Sequence, residues 1–299
     1  MPPIPAWIQR KRLIIPISVT LLSMVALVLT QAKEHSLWIQ ESVVATSDGT
    51  LPKQPVCPAP ATPDPLLGAR TRKPGRWVGT APLAKEVPIV VMAGHADSQG
   101  MNSAGTPGFA VGVNKQAPMD ARMRDELYWN LKVQAAVVLL GKARALNISS
   151  YNPPALTIRT DNHPKTNWSQ ARVRSAKGEY ILEIHFDAYS PYGFGSGLIP
   201  AINRPLNTID ESLGKSFGRF HRLFRGGLGG PRRGISILEI GMLEPPLEQK
   251  LRNPNTQRQT IDCLALRVVD ALEQGVNRLP DGGGNGPQGS DPQTIPADG

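Results

Sequence analysis

Hydrophobic positions in the middle of this chain fall into strand-length segments separated by longer stretches of mixed character. VPIVVMA (87–93), ALTIRT (155–160), YILEIHF (180–186), GLIPAI (197–202) and ISILEIGM (235–242) are each short and mostly apolar, as buried strands are. Between them the spacing turns helical. A helix starts near Asp120 or Asp125 and continues through ELYWNLKVQAAVVLLGKARAL, with acidic residues in its first turn and an apolar centre that belongs in a core. Further helices are predicted from about Trp168, after the breaker Pro164, and over Ser212–Phe224. A closing helix places Ile261, Leu264, Ala265, Val268, Ala271 and Leu272 on one face, with Gly275 as its cap. The stretch from Gly94 to Met119 reads as a loop. Strands alternating with helices predict an α/β fold, a twisted mixed and largely parallel sheet flanked by helices, in one folded domain over 87–276.

The flanks differ in kind. Arg10, Lys11 and Arg12 precede an uncharged run at 13–30, long enough to span a bilayer. Its basic flank stays cytoplasmic and sends the rest across. Residues 1–32 are thus a signal anchor or signal peptide. The anchor is preferred, because Thr30-Gln31-Ala32 is a poor cleavage site. Residues 33–86 read as a Pro-rich tether and 277–299 as a disordered tail. The domain is then expected on the periplasmic or wall side. Net charge is +9, but the basic residues are scattered and no nucleic-acid-binding motif is present. The charge suits an anionic membrane or wall polymer instead. Cys57 lies in the Pro-rich stretch and Cys263 within the closing helix. In an oxidising compartment they could pair, but two unpaired thiols are the expectation, and no C-x-x-C metal spacing exists.

Chemistry-bearing residues sit at or just beyond the ends of three predicted strands. His95 follows the first, His185 lies in EIHFDA and Glu239 interrupts ISIL-E-IGML. Sites in open α/β sheets form outside the carboxyl ends of strands. His185 and Glu183 share a face by strand alternation, and either Glu183 or Asp187 is close enough in sequence to orient the ring. Glu239 is a carboxylate in an apolar strand, which requires a cation, an Arg such as Arg232 or Arg233, or a catalytic task. Glu126 opens the long helix, with Asp125 beside it as the alternative. Two imidazoles and a carboxylate suffice to hold zinc with a position left for water, and a further carboxylate can take that water's proton. GFGSG (193–197) and RGGLGGPRRG (225–234) lack the context of phosphate loops. Ser98, Ser190 and Ser196 lack that of a nucleophile elbow. Solvated roles suffice for His163 and His221.

Taken in order, GH (94–95), the helix-borne Glu126, IRTD (158–161), EIHFDA (183–188) and ILEIGMLE (237–244) resemble the zinc-dependent N-acetylmuramoyl-L-alanine amidases of bacterial cell walls. The resemblance covers roughly Pro88 to Val276. It implies zinc on His95, Glu126 and His185, Glu239 as general acid and base, and peptidoglycan as substrate. The bond implied is the amide between N-acetylmuramic acid and L-alanine. Another exported zinc peptidase, or a non-catalytic wall-binding protein, is the alternative.

Overall fold

The computed structural model describes residues 55–68, 78–81, 83 and 86–277. Strands β1 (Ile89–Ala93), β2 (Ile148–Tyr151), β3 (Tyr180–Asp187), β4 (Gly197–Ile199) and β5 (Ile235–Met242) form one sheet in the order β2-β1-β3-β5-β4. All pairings are parallel except β4 with β5, at the edge. The helices are α1 (Gly108–Gly112), α2 (Asp125–Ala143), α3 (Asn167–Ser175), α4 (Thr208–Phe217), α5 (Leu247–Arg252) and α6 (Pro254–Asn277). The mixed, largely parallel α/β sheet read from the sequence is present.

Strand alternation sorts the core into two layers. Ile89, Val91, Leu182, Ile184, Phe186, Leu238 and Ile240 pack against α2, α4 and α6. Val90, Met92, Ile181, Ile235 and Ile237 face the other way, towards Ala171 and Trp168 of α3 and the loop residues Phe220, Phe224 and Leu228. Central parallel strands are covered on both sides, so they read as nearly continuous apolar runs. Each polar residue within one then needs its own reason to be there.

Several boundaries differ from the pattern reading. The strand beside β1 is Ile148–Tyr151, in register Ile89↔Ile148, and not 155–160. Pro153 and Pro154 follow it and cannot donate to a ladder. Beyond them Thr157 makes only an isolated bridge with Ser98. Helix α4 begins at Thr208, where Asn207 and Asp210 form a capping box, and ends at Phe217 before Gly218 (φ 97°). The predicted span to Phe224 overran that stop. Helix α1 falls inside the stretch read as loop, and the short helix α5 was not anticipated. Gly275 is interior to α6 and not a cap. A Cβ there would lie 2.5 Å from the Ile209 Cα, so its hydrogen lets α4 approach α6.

Part of the expected tether belongs to the fold. Leu66 and Leu67 are buried in the main core. The Asp64 carboxylate accepts from the Leu66 and Leu67 N–H groups at 2.9 Å and pairs with Arg267 of α6 at 2.7 Å. The chain is thereby held along α6, Gln259 donates to the Val56 carbonyl at 3.0 Å, and Cys57 is bonded to Cys263 across 206 residues. The expectation of unpaired thiols is corrected: anchoring by Leu66, Leu67 and Asp64 brings two distant cysteines to 5.5 Å between Cα atoms. The spanning run at 13–30 and the tail from 278 lie outside the described residues. Among those described, no helix is long and apolar enough to cross a membrane.

A crosslink closing so long a loop restricts the unfolded chain. Cys57→Ser should therefore lower unfolding stability by about 2–4 kcal/mol in chemical denaturation. A denaturation curve superimposable on the parent's would show that the bond contributes nothing to stability.

Candidate metal centre

β1 ends at Ala93, and His95 follows with φ 63°, a left-handed conformation that a non-glycine residue adopts at a cost. The left-handed residue is thus His95, and the glycine before it serves another purpose. A Cβ on Gly94 would lie 2.3 Å from Cε1 and Nε2 of His185, so the missing side chain makes room for that ring. β3 carries His185 and Glu183 on one face, as alternation predicts, and the parallel register sets Glu239 of β5 beside His185. Helix α2 contributes Glu126 from its first turn. Its neighbour Asp125 is turned away, ion-paired to Arg252 and accepting from the Met119 N–H at 2.8 Å. The helix thus assigns the two adjacent carboxylates to different tasks.

Glu126 is the hub. Its Oε1 lies 3.2 Å from His95 Nε2 and 3.0 Å from His185 Nδ1, and its Oε2 accepts from the Thr106 N–H at 2.7 Å. The two rings meet edge to face at 4.8 Å. One ligand atom from each of His95, Glu126 and His185 lies within 4.8 Å of the others. Each imidazole is held from behind. His95 Nδ1 donates to the Ser103 carbonyl at 2.6 Å, and His185 Nε2 faces Glu183 Oε2 at 3.1 Å. Asn167, at the start of α3, donates to Glu183 Oε1 at 2.9 Å and to the Ala93 carbonyl at 2.8 Å. With the outer nitrogens donating, both inner nitrogens present lone pairs towards the same carboxylate oxygen. That convergence is repulsive unless a proton or a cation occupies the middle. The donor set therefore fits a divalent metal.

The electrostatics agree. Burial raises the Glu126 carboxyl, but the charges and hydrogen bonds of His95 and His185 outweigh it and hold the group well below the usual carboxylate range. Burial lowers His185, yet Glu126 and Glu183 push it well above an ordinary imidazole. Without a metal, the two carboxylates thus favour a proton on His185.

Glu239 differs from these. Burial pushes its carboxyl up to about 8; His185 and Arg225 pull it down, while Asp187 and Glu126 add to the rise. Its Oε2 is buried without a hydrogen-bond partner among the described residues. The alternative of a structural ion pair does not hold. Arg232 donates to the Gly226 and Gly227 carbonyls, and Arg233 donates to the Gly229 carbonyl and lies over the Trp168 ring. Asp187, the other candidate to orient His185, instead accepts from the Ala188, Phe194 and Gly195 N–H groups.

Four of the sequence-selected residues thus come together: His95, Glu126, His185 and Glu239. The supporting groups Ser103, Thr106 and Asn167 were not legible. Two act through backbone atoms, and Asn167 looks like an ordinary residue at a helix start. The groups set aside stay outside the site. His163 and His221 accept locally from Lys165 and Leu223, and Ser196 is buried against the Phe217 carbonyl.

No protein-family model matches this sequence, and no curated protein matches it. Solved structures similar to the chain include the catalytic domain of CwlV, an N-acetylmuramoyl-L-alanine amidase from Bacillus (Paenibacillus) polymyxa. It is 15% identical with a TM-score of 0.40, over 63% of this chain and 99% of that one. Cwp6 from Clostridium difficile is 13% identical with a TM-score of 0.42, over 64% of this chain and 30% of that one. The N-acetylmuramyl-L-alanine amidase Ami1 from Mycobacterium smegmatis is 15% identical with a TM-score of 0.39, over 65% of this chain and 99% of that one. The roles of individual residues rest on the site's own geometry.

The close approach of Gly94 to His185 makes a direct test. Gly94→Ala should displace the ring and weaken divalent-metal affinity by about 10- to 100-fold, the range seen when groups behind a ligand are changed. Competition against a chelator measures this, with circular dichroism as the control for folding. Unchanged affinity in a folded variant would mean that His185 is not held where the structure places it.

Proposed function

We propose that this chain is a zinc-dependent N-acetylmuramoyl-L-alanine amidase. It would hydrolyse the amide between N-acetylmuramic acid and L-alanine in peptidoglycan, on the outer side of the cytoplasmic membrane. One observation carries the reading: two imidazoles from different loops and strands converge on one buried carboxylate oxygen, beside a second carboxyl with an unpartnered buried oxygen. The order of these residues along the chain matches the family pattern set out above. Arg10 to Arg12 and the uncharged run at 13–30 support the location, with residues 1–32 as anchor and the Pro-rich segment after them as spacer.

His95, Glu126 and His185 would hold the zinc, through His95 Nε2, His185 Nδ1 and the Glu126 carboxylate. Two imidazoles and one carboxylate form a donor set of catalytic zinc sites that keep a position open for water. When bound, zinc supplies a Lewis acid that acidifies water and polarises a carbonyl. The chain supplies the rest. Ser103 and Glu183 fix which nitrogen of each ring faces inward. Glu239 takes a proton from the attacking water at its free Oε2 and returns it to the departing amine nitrogen. Its carboxyl is held neutral near pH 7 in the metal-free chain, and a dication at the adjacent centre favours the ionised form that a base requires. Burial keeps its pKa near the working range, where a group can both accept and give a proton.

Two variants separate metal binding from proton transfer. His185→Ala should remove most of the zinc found by elemental analysis, and full zinc content would show the ligand set to be wrong. Glu239→Gln should retain zinc and fold while losing about 10²–10⁴-fold in activity, the usual worth of general acid–base catalysis. Near-normal cleavage by that variant would remove Glu239 from the mechanism. The mass of the products from purified peptidoglycan decides the bond. Cleavage within the stem peptide, with the lactyl amide intact, would indicate an exported zinc peptidase instead.

A further inference from the structure

The loop from β3 to β4 and the turn at Phe224–Gly226 meet beside the metal centre, and they hold a cation that the proposed chemistry does not use. Gly197, where the β3–β4 loop ends, is paired with Glu239. Three residues earlier the Phe194 N–H is held by the Asp187 carboxylate, which fixes the loop at the end of β3. Phe194 is 53% exposed and meets Phe224 edge to face at 5.2 Å. Over these two rings lies the guanidinium of Arg225, 5.1 Å from the Phe194 centroid and 5.2 Å from that of Phe224.

Arg225 is exposed, and no carboxylate pairs with it among the described residues. Its backbone is left-handed (φ 50°, ψ 40°), followed by Gly226 at φ 75° and Gly227 at φ 92°. Glycine would occupy position 225 without penalty, whereas a side chain there costs roughly 1 kcal/mol or more. The cation is therefore carried at a strained position, packed on aromatic rings and left without an anion of its own. A guanidinium whose face lies on rings keeps its edge donors available, and that planar fork matches a carboxylate.

We propose that Arg225 binds a carboxylate of the substrate's stem peptide, and that this contact makes the enzyme prefer stems with a free carboxylate near the scissile amide over those carrying a carboxamide there. The proposal rests on the amidase reading. The Phe194 and Phe224 rings orient the guanidinium, and the Asp187 hydrogen bonds fix Phe194. The loop that carries Phe194 runs into Gly197, which is paired with Glu239, so a carboxylate on Arg225 binds at the same end of the sheet as the proposed proton-transfer group.

The test uses two synthetic muropeptides that differ only in carboxylate or carboxamide on the second residue of the stem. Both are assayed with the zinc-loaded full chain, its Arg225→Gln variant and its Arg225→Gly variant. The Gly variant removes the same cation while suiting the left-handed backbone, so a folded comparison exists even if Gln is not tolerated. The parent should favour the carboxylate compound in kcat/KM, mainly through KM. Both variants should shrink that preference by about tenfold or more, the worth of a charge-assisted hydrogen bond. If the parent cleaves both compounds and the ratio is the same in the variants, Arg225 does not read the carboxylate, while the amidase reading stands. If the parent cleaves neither, the amidase reading falls and this proposal with it.

Discussion

Everything at this site depends on one buried carboxylate oxygen. Glu126 Oε1 faces a nitrogen of His95 and a nitrogen of His185, both near 3 Å, in a region from which water is largely excluded. A buried carboxylate between two imidazoles is not a neutral packing choice. It demands positive charge in the space between them. A divalent cation fits the donors that converge there. The surrounding structure serves to make that convergence rigid. The Ser103 carbonyl holds one ring, Glu183 with Asn167 holds the other, and the Thr106 N–H holds the carboxylate.

The sheet explains why the fourth group arrives at the right place. β3 and β5 are adjacent and parallel, and their register sets His185 directly across from Glu239. In a parallel pair, opposite residues point to the same face, so one strand pairing fixes the separation of ligand and carboxyl. The other face of both strands is filled by Ile184, Phe186, Leu238 and Ile240 against helices. A slip of one residue would turn these apolar groups into the site and the His and Glu into the core. Core packing therefore enforces the geometry of the polar centre.

Support for the site extends into the chain segment that precedes the sheet. Leu66 and Leu67 complete the core beside β5, where Gly241 is close to the Leu67 carbonyl, and the Cys57–Cys263 bond ties the segment to α6. On the opposite flank, Glu248 of α5 accepts from the Ala110 N–H and so holds α1 against the chain that follows β5. Its carboxyl is pushed up to about 7, chiefly by burial. The loop that carries Thr106 and Gly105 to Glu126 is thus supported by a buried carboxyl far along the chain.

The sequence alone showed the class of fold, the strands β1, β3 and β5, and His95, His185 and Glu239 as the chemistry-bearing residues at their ends. It did so because parallel strands buried on both faces leave long apolar runs, and a His or Glu inside or just after such a run stands out. It misplaced β2, because ALTIRT has strand composition while ISSY owes its place to pairing with β1. It missed α1 and α5, which are too short to show a helical period. It left Asp125 against Glu126, Glu183 against Asp187, and Arg232 or Arg233 as a partner for Glu239 undecided, and it read the two cysteines as unpaired. Only the tertiary structure decided these. Asp125 with Arg252, Asn167 with Glu183 and Cys57 with Cys263 join groups 127, 16 and 206 residues apart, and composition and periodicity describe only the local chain. Packing chooses among neighbouring carboxylates by giving one of them Arg252 and the other two imidazoles.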